Sequence, residues 1–123
     1  MDARRRVLVV DDSDVVRALL SETLSEVGYD VQVAEDGQAA LARLDGSELD
    51  CIVCDLGMPN VDGQTFIGLL RAHPRYHKVP VLVVSYDARP STRESVRHAG
   101  AQAFITKPCN SGDLIDAVNR LCS

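Results

Sequence analysis

The sequence predicts an α/β domain, one parallel sheet with helices on both faces, and three observations predict it. Short apolar runs recur five times, as VLVV (7–10), VQVA (31–34), CIVC (51–54), VLVV (81–84) and AFIT (103–106). Between them, apolar residues return at three- and four-residue intervals, the helical period. Three of the runs are apolar without alternation, as in strands buried on both faces. Strand and helix in strict alternation give parallel pairing through right-handed crossovers.

The chain is organised around CIVCDLGMPNVDG at 51–63. Four apolar residues lead into Asp55, after which Gly57, Pro59 and Gly63 interrupt regular structure. In open α/β sheets, ligands bind beyond the carboxyl ends of the strands, and Asp55 stands at such an end.

VLVVDD at 7–12 is a second apolar strand that ends in acids, Asp11 and Asp12. Val15, Val16, Leu19, Leu20, Leu24 and Val27 follow at helical spacing, with Gly28 suited to the helix C-terminus. The strand at 31–34 leads to Asp36, an N-cap for a brief helix carrying Ala39, Ala40, Leu41 and Leu44, which Asp45 and Gly46 close. After the central strand, Phe66, Ile67, Leu69 and Leu70 mark a third helix from near Gln64, stopped by Pro74. VLVVS at 81–85 delivers a hydroxyl, Ser85. Ser91 and Glu94 form a capping box for a helix that Gly100 ends. The fifth strand delivers Lys107 before Pro108, and a last helix from near Asn110 carries Leu114, Ile115, Val118 and Leu121 on one side.

Composition bounds the function. The 123 residues predict a single domain over 1–123, long enough to bury a core without staples. A net charge of -5 argues against a nucleic-acid surface, and no run is long enough to span a membrane. Arg4, Arg5 and Arg6 precede an apolar run too short and too acidic at its end for a signal peptide. Cys51 and Cys54 make a CxxC, but side chains three apart on a strand face opposite ways, so they cannot share a metal or disulfide. Cys109 and Cys122 have no partner at ligand spacing. All four read as small buried hydrophobes of a reduced, cytoplasmic protein. His73, His77 and His98 are scattered and read as surface residues.

The chemistry lies in what the strand ends share. Asp11, Asp12, Asp55, Ser85 and Lys107 each follow an apolar strand, so the fold gathers them on one edge of the sheet. Clustered carboxylates repel one another unless something positive sits among them, and a hard divalent cation such as Mg2+ fits that need. Such an ion lets a carboxylate attack an electron-rich phosphoryl group, and a lysine neutralises charge on its oxygens. The set reads as phosphoryl transfer to an aspartate.

The ordered set VLVVDD, CIVCDLGMPNVDG, VLVVS and Lys107-Pro108 resembles the receiver domain of two-component response regulators, over essentially the whole chain. That resemblance implies a flavodoxin-like doubly wound sheet of order 2-1-3-4-5 with five helices, and Mg2+ as cofactor. It implies that Asp55 is the phosphoacceptor, that Asp12 binds Mg2+ directly and Asp11 mainly through water, and that Gly57 gives its backbone carbonyl to the ion. Ser85 then hydrogen-bonds the phosphoryl group and Lys107 pairs with it. Phe104 matches the family's switch aromatic, coupling Ser85 to a face made by the fourth helix, fifth strand and fifth helix. The implied partners are a histidine kinase or phosphotransfer protein as donor, and a downstream protein target or an output domain outside these residues. Its chemistry is self-phosphorylation and slow autodephosphorylation rather than turnover of a substrate.

The chain departs from the family at Tyr86, where a small residue usually follows the switch hydroxyl; a bulky ring there either narrows access to the site or points outward. Gly57 and Asp87 are the positions expected to influence the lifetime of the phosphorylated state. Relief of repulsion predicts that removing Asp11 or Asp12 leaves the metal-free protein at least as stable. Two rival readings are a receiver-like interaction module that is never phosphorylated and a haloacid dehalogenase-type Mg2+ phosphohydrolase. Such modules usually lose an acid or the lysine, and all are present here. The phosphohydrolase reading uses Asp12, Ser13 and Asp14 as a DxD, but the helix pattern begins directly at Val15, leaving no room for that family's flap.

Overall fold

The computed structural model describes residues 4–123. Five strands alternate with five helices: β1 (Arg6–Val10), α1 (Asp14–Glu26), β2 (Asp30–Ala34), α2 (Gly37–Ala42), β3 (Cys51–Cys54), α3 (Gly63–Arg71), β4 (Val81–Ser85), α4 (Pro90–Ala99), β5 (Ala103–Thr106) and α5 (Ser111–Cys122). The sheet order is β2-β1-β3-β4-β5 with every pair parallel, so the doubly wound topology is borne out. β1 and β3 are neighbours, with Val10 opposite Cys54, which puts the residues that follow them, Asp11 and Asp55, side by side.

The pleat divides the core. Leu8, Val10, Ile52, Cys54 and Val83 point to one face and pack with Ala40, Phe66, Ile67, Leu70 and Val96 of α2, α3 and α4. Val7, Val9, Cys51, Val53, Leu82 and Val84 point to the other and pack with Leu20, Leu24, Leu114 and Val118 of α1 and α5. Burying a side chain as large as Phe66 contributes about 2 to 3 kcal/mol, and β1, β3 and β4 bury nearly every residue, which makes them the rigid support of whatever follows them. Cys51 and Cys54 fall in different clusters, as the strand period requires.

Ser13, Asp36, Asp62 and Asn110 cap α1, α2, α3 and α5, each accepting a backbone N–H within the first turn. The capping box expected at Ser91 and Glu94 does not form. Pro90 takes the first position of α4, so Arg89 is the cap residue and Ser91 already lies inside the helix. Glu94 instead pairs with Arg97 and His98. The apolar stripe of α1 is also split: Leu20 and Leu24 are buried, whereas Val15 and Leu19 face solvent. Among the histidines, His77 and His98 are exposed, while His73 is half-buried with its ring edge-on to Tyr76.

Candidate functional site

Each strand end delivers its side chain to one cleft of about 680 Å³ whose walls include Asp11, Asp12, Asp55, Ser85, Tyr86 and Lys107. Gly57 also borders it. One carboxylate oxygen from each of Asp11, Asp12 and Asp55 lies within 4.8 Å of the others. Three acids of that spacing demand a positive group, and among the described residues a single ammonium pairs with them.

That ammonium is Lys107, which follows β5. Its Nζ donates to Asp11 Oδ2 at 2.7 Å and stands 3.4 Å from Asp55 Oδ1. Burial by itself lowers a lysine's pKa, but the Asp11 hydrogen bond and the charges of Asp55 and Asp11 outweigh it and hold Lys107 above the ordinary range. The opposite balance holds at Asp55. Burial pushes its carboxyl up, Lys107 pulls it down, Asp11 pushes it up again, and the net shift is upward.

The three acids are not equivalent. Asp11 is buried and fully committed: Oδ1 accepts from the Ser13 N–H at 2.9 Å and Oδ2 from Lys107, while its carbonyl accepts from Arg17 Nη1 at 2.8 Å. Asp12 is exposed and has no hydrogen-bond or ion-pair partner among the described residues. Asp55 uses only Oδ1, which accepts from the Leu56 N–H at 2.8 Å and faces Lys107, so Oδ2 has no donor among the described residues. A divalent cation fits this set: two carboxylates offer uncommitted oxygens, and the acid excess over lysine supplies the attraction.

Residues 7–119 match the response regulator receiver domain family. The chain belongs to that family. It is 33% identical over 115 residues to the CAI-1 autoinducer sensor kinase/phosphatase CqsS of Vibrio cholerae, a match covering 93% of this chain and 17% of the relative. It spans less than half the length of the curated relatives it matches first. Among solved structures it is similar to the chemotaxis protein CheY4 of Vibrio cholerae, at 33% identity, TM-score 0.92 and coverage of 97% and 99% of the two chains. It is also similar to the receiver domain of a sensor histidine kinase of Pseudomonas aeruginosa, solved with magnesium in its active-site cleft, at 26% identity, TM-score 0.90 and coverage of 98% of each chain. The phosphohydrolase alternative falls away, since α1 starts at Asp14 with no insertion after Asp12.

Around this receiver's acids, the β4–α4 loop is tied down by Asp87. Its carboxylate accepts from Arg89 Nε at 2.9 Å, Arg89 Nη2 at 2.7 Å and Thr92 Oγ1 at 2.8 Å, bonds that hold Asp87 well below the usual carboxylate range. The Asp87 N–H donates to Ser85 Oγ at 3.1 Å, so the buried hydroxyl serves as an acceptor. Tyr86 is exposed, yet Lys107 Nζ lies 5.2 Å from its ring centroid, so the ring forms the solvent wall over the lysine rather than pointing away. Phe104 is half-buried against the α2–α4 core, with the Arg93 guanidinium 4.7 Å from its centroid. Arg93 Nη2 also donates to Thr106 Oγ1 at 3.1 Å.

Sequence reasoning missed three supports. Gly63 was read only as a helix breaker, but a Cβ there falls 2.0 Å from the Asp55 carbonyl oxygen, so the start of α3 closes directly onto the strand end that presents Asp55. Gly57 is the reverse, since a Cβ there meets nothing within 4 Å. Asn60 adopts φ 66°, a left-handed conformation that asparagine tolerates, and its Nδ2 donates to Asp36 Oδ2 at 3.0 Å, tying the β3–α3 loop to the cap of α2. Arg17 fixes the Asp11 backbone. The glycine carried a visible signal, its place at a helix start soon after Asp55; Arg17 and Asn60 carried none.

Proposed function

We propose that Asp55 accepts a phosphoryl group from a histidine kinase or phosphotransfer protein. The observation that carries this is the free Oδ2 of a carboxylate whose other oxygen is already held by a backbone N–H and faced by Lys107. Oδ2 attacks phosphorus, the bond from phosphorus to the donor nitrogen breaks, and that nitrogen keeps the electron pair and takes a proton. Lys107 neutralises charge on the transferred oxygens, and Ser85 turns its hydroxyl proton toward them.

Mg2+ would be held by Asp12 and Asp55 with the Gly57 carbonyl, and by Asp11 through water, because Asp11's oxygens are taken by Ser13 and Lys107. When bound, the ion offsets the charge of the acids and of the incoming phosphoryl oxygens. Hydrolysis of the product is slow and internal to the domain, with no separate turnover substrate.

A signal leaves the site through Ser85. Moving its Oγ toward new oxygens gives up the Asp87 N–H, and Phe104 on the adjacent β5 can repack, altering the α4, β5 and α5 face for a downstream protein or an output domain outside these residues. The receiver unit covers the chain as a whole, and its four free thiols suit the cytoplasm. Incubation with Mg2+ and a small phosphodonor followed by intact mass tests the reading: one phosphate should be added, and none to D55N. A label that persists in D55N sinks it.

A further inference from the structure

Arg89, Arg93 and Arg97 recur at four-residue intervals from the cap of α4 into the helix, and two of the three are matched with acids. Arg89 pairs with Asp87 and Arg97 with Glu94. Arg93 has no acid within ion-pair distance among the described residues, and its guanidinium crosses to β5 instead. There its carbon lies 4.7 Å from the Phe104 ring centroid, and Nη2 donates to Thr106 Oγ1 at 3.1 Å. Phe104 and Thr106 stand two apart on the strand and so share a face. In register, Thr106 lies opposite Ser85 and Phe104 opposite Val83. One side chain of α4 therefore touches both the ring and the strand neighbour of the buried hydroxyl.

Packing alone does not fix the ring. Phe104 is only half-buried, and it borders a cavity of about 170 Å³ between α4 and β5 that Val96, Ala101 and Ala103 also line. It carries no hydroxyl with which to bond a neighbour, so its contact with the core and the guanidinium hold it together. We infer that Arg93 is a positioning residue that latches Phe104 in this packing, an autoinhibitory contact that the switch must break before the α4, β5 and α5 face can change. The latch rests on the reading of Ser85 and Phe104 proposed above. A cation over an aromatic face at an exposed position is worth about a two- to fivefold change in an equilibrium constant. The contact exists in one packing of the ring and is lost in the other, so it biases the pair of states by that factor. A ligand that favours the repacked state is weakened to the same extent.

The test takes the whole chain labelled with fluorophenylalanine, with Mg2+ and beryllofluoride as the probe. The chain has two phenylalanines, and Phe66, fully buried, is the internal reference for Phe104. Fluorine NMR reports the ring's surroundings, and calorimetric titration of unlabelled protein reports the affinity. R93A, whose fold is checked by circular dichroism, should bind beryllofluoride about two- to fivefold more tightly than the parent. Its Phe104 signal without the probe should already be displaced toward the bound position. In an F104L background the same substitution should bring no gain over F104L alone, because the effect runs through the ring while the charge removed is the same in both. A parent chain that binds no beryllofluoride, or whose Phe104 signal ignores it at saturation, sinks the switch reading and the latch with it. A parent whose ring responds, with R93A no tighter than the parent, overturns the latch alone. So does an equal gain in both backgrounds.

Discussion

At the amino end of the sheet Arg71 sends hydrogen bonds from three guanidinium nitrogens to the carbonyls of His77, Val79 and Gly100 and to Gln102 Oε1, while at the carboxyl end one ammonium serves Asp11 and Asp55 and leaves Asp12 without a partner among the described residues. The amino end is saturated. Arg6 adds to it, pairing with Asp30 and donating its backbone N–H to Asp50 at 2.8 Å, so that β1, β2 and the approach to β3 are tied at their starts. The carboxyl end keeps a surplus of acid and an open cleft beside it. Both ends belong to the same buried strands, so the surplus is not a weakness of packing; it is attraction held ready for a cation.

The largest expected effect breaks the comparison at the reactive end. D55N should abolish phosphorylation entirely while the metal-free protein becomes more stable near neutral pH. Because burial raises the Asp55 pKa in the folded state, its contribution favours folding below the ordinary carboxylate range and is lost as pH rises through the raised value. The stability gap between D55N and the parent should therefore open with rising pH and close in acid; a gap independent of pH in urea titrations refutes this account.

Next comes the saturated end. Arg71→Ala strips carbonyls of their donor, and a loss of about 3 kcal/mol is expected with phosphorylation rates little changed. Equal damage to phosphorylation would show that the two ends are not separable. Gly63→Ala crosses the divide, since its Cβ collides with the Asp55 carbonyl; about 2 kcal/mol should be lost, and phosphorylation should fall with it.

Within the acid cluster, D11A should cost about 2 kcal/mol, because it leaves the buried Lys107 with Asp55 alone at 3.4 Å. D12A should leave stability nearly unchanged and weaken Mg2+ binding about tenfold or more, as followed by metal titration. This corrects the expectation that removing either acid simply relieves repulsion: Asp11 is the lysine's partner, and only Asp12 is spare. The smallest effect belongs to Tyr86→Leu, with at most about 0.5 kcal/mol from the lost contact with Lys107, read by denaturant melts and by the Lys107 side-chain NMR signals.

The comparison also shows what was legible in the sequence. Apolar runs without alternation announced β1, β3 and β4, and the polar residue ending each announced the carboxyl edge, because strand burial and strand end are both local properties. Asp11, Asp12, Asp55 and Ser85 were found that way, and Lys107 by its place after the shorter run of β5. The amino end was not. Nothing singled out Arg71, since its acceptors are mostly backbone carbonyls, which leave no trace in residue identity. The failed box at Ser91 is a local miss, where Pro90 settled the first turn of α4 before Ser91 could cap it.

The bond from Lys107 to Asp11 spans 96 residues, the distance from the first strand to the residue after the fifth. Such a contact belongs to the slow, non-local part of folding, and β5 is the edge strand that must dock last in chain order. During synthesis from the amino end, all three acids emerge and can gather before the lysine exists. A nascent chain therefore holds the acids without Lys107, and on the proposed reading Asp55 gains its counter-charge only once the final strand has paired. On that reading, competence to receive a signal is acquired in a single late step, with the completed topology as its licence.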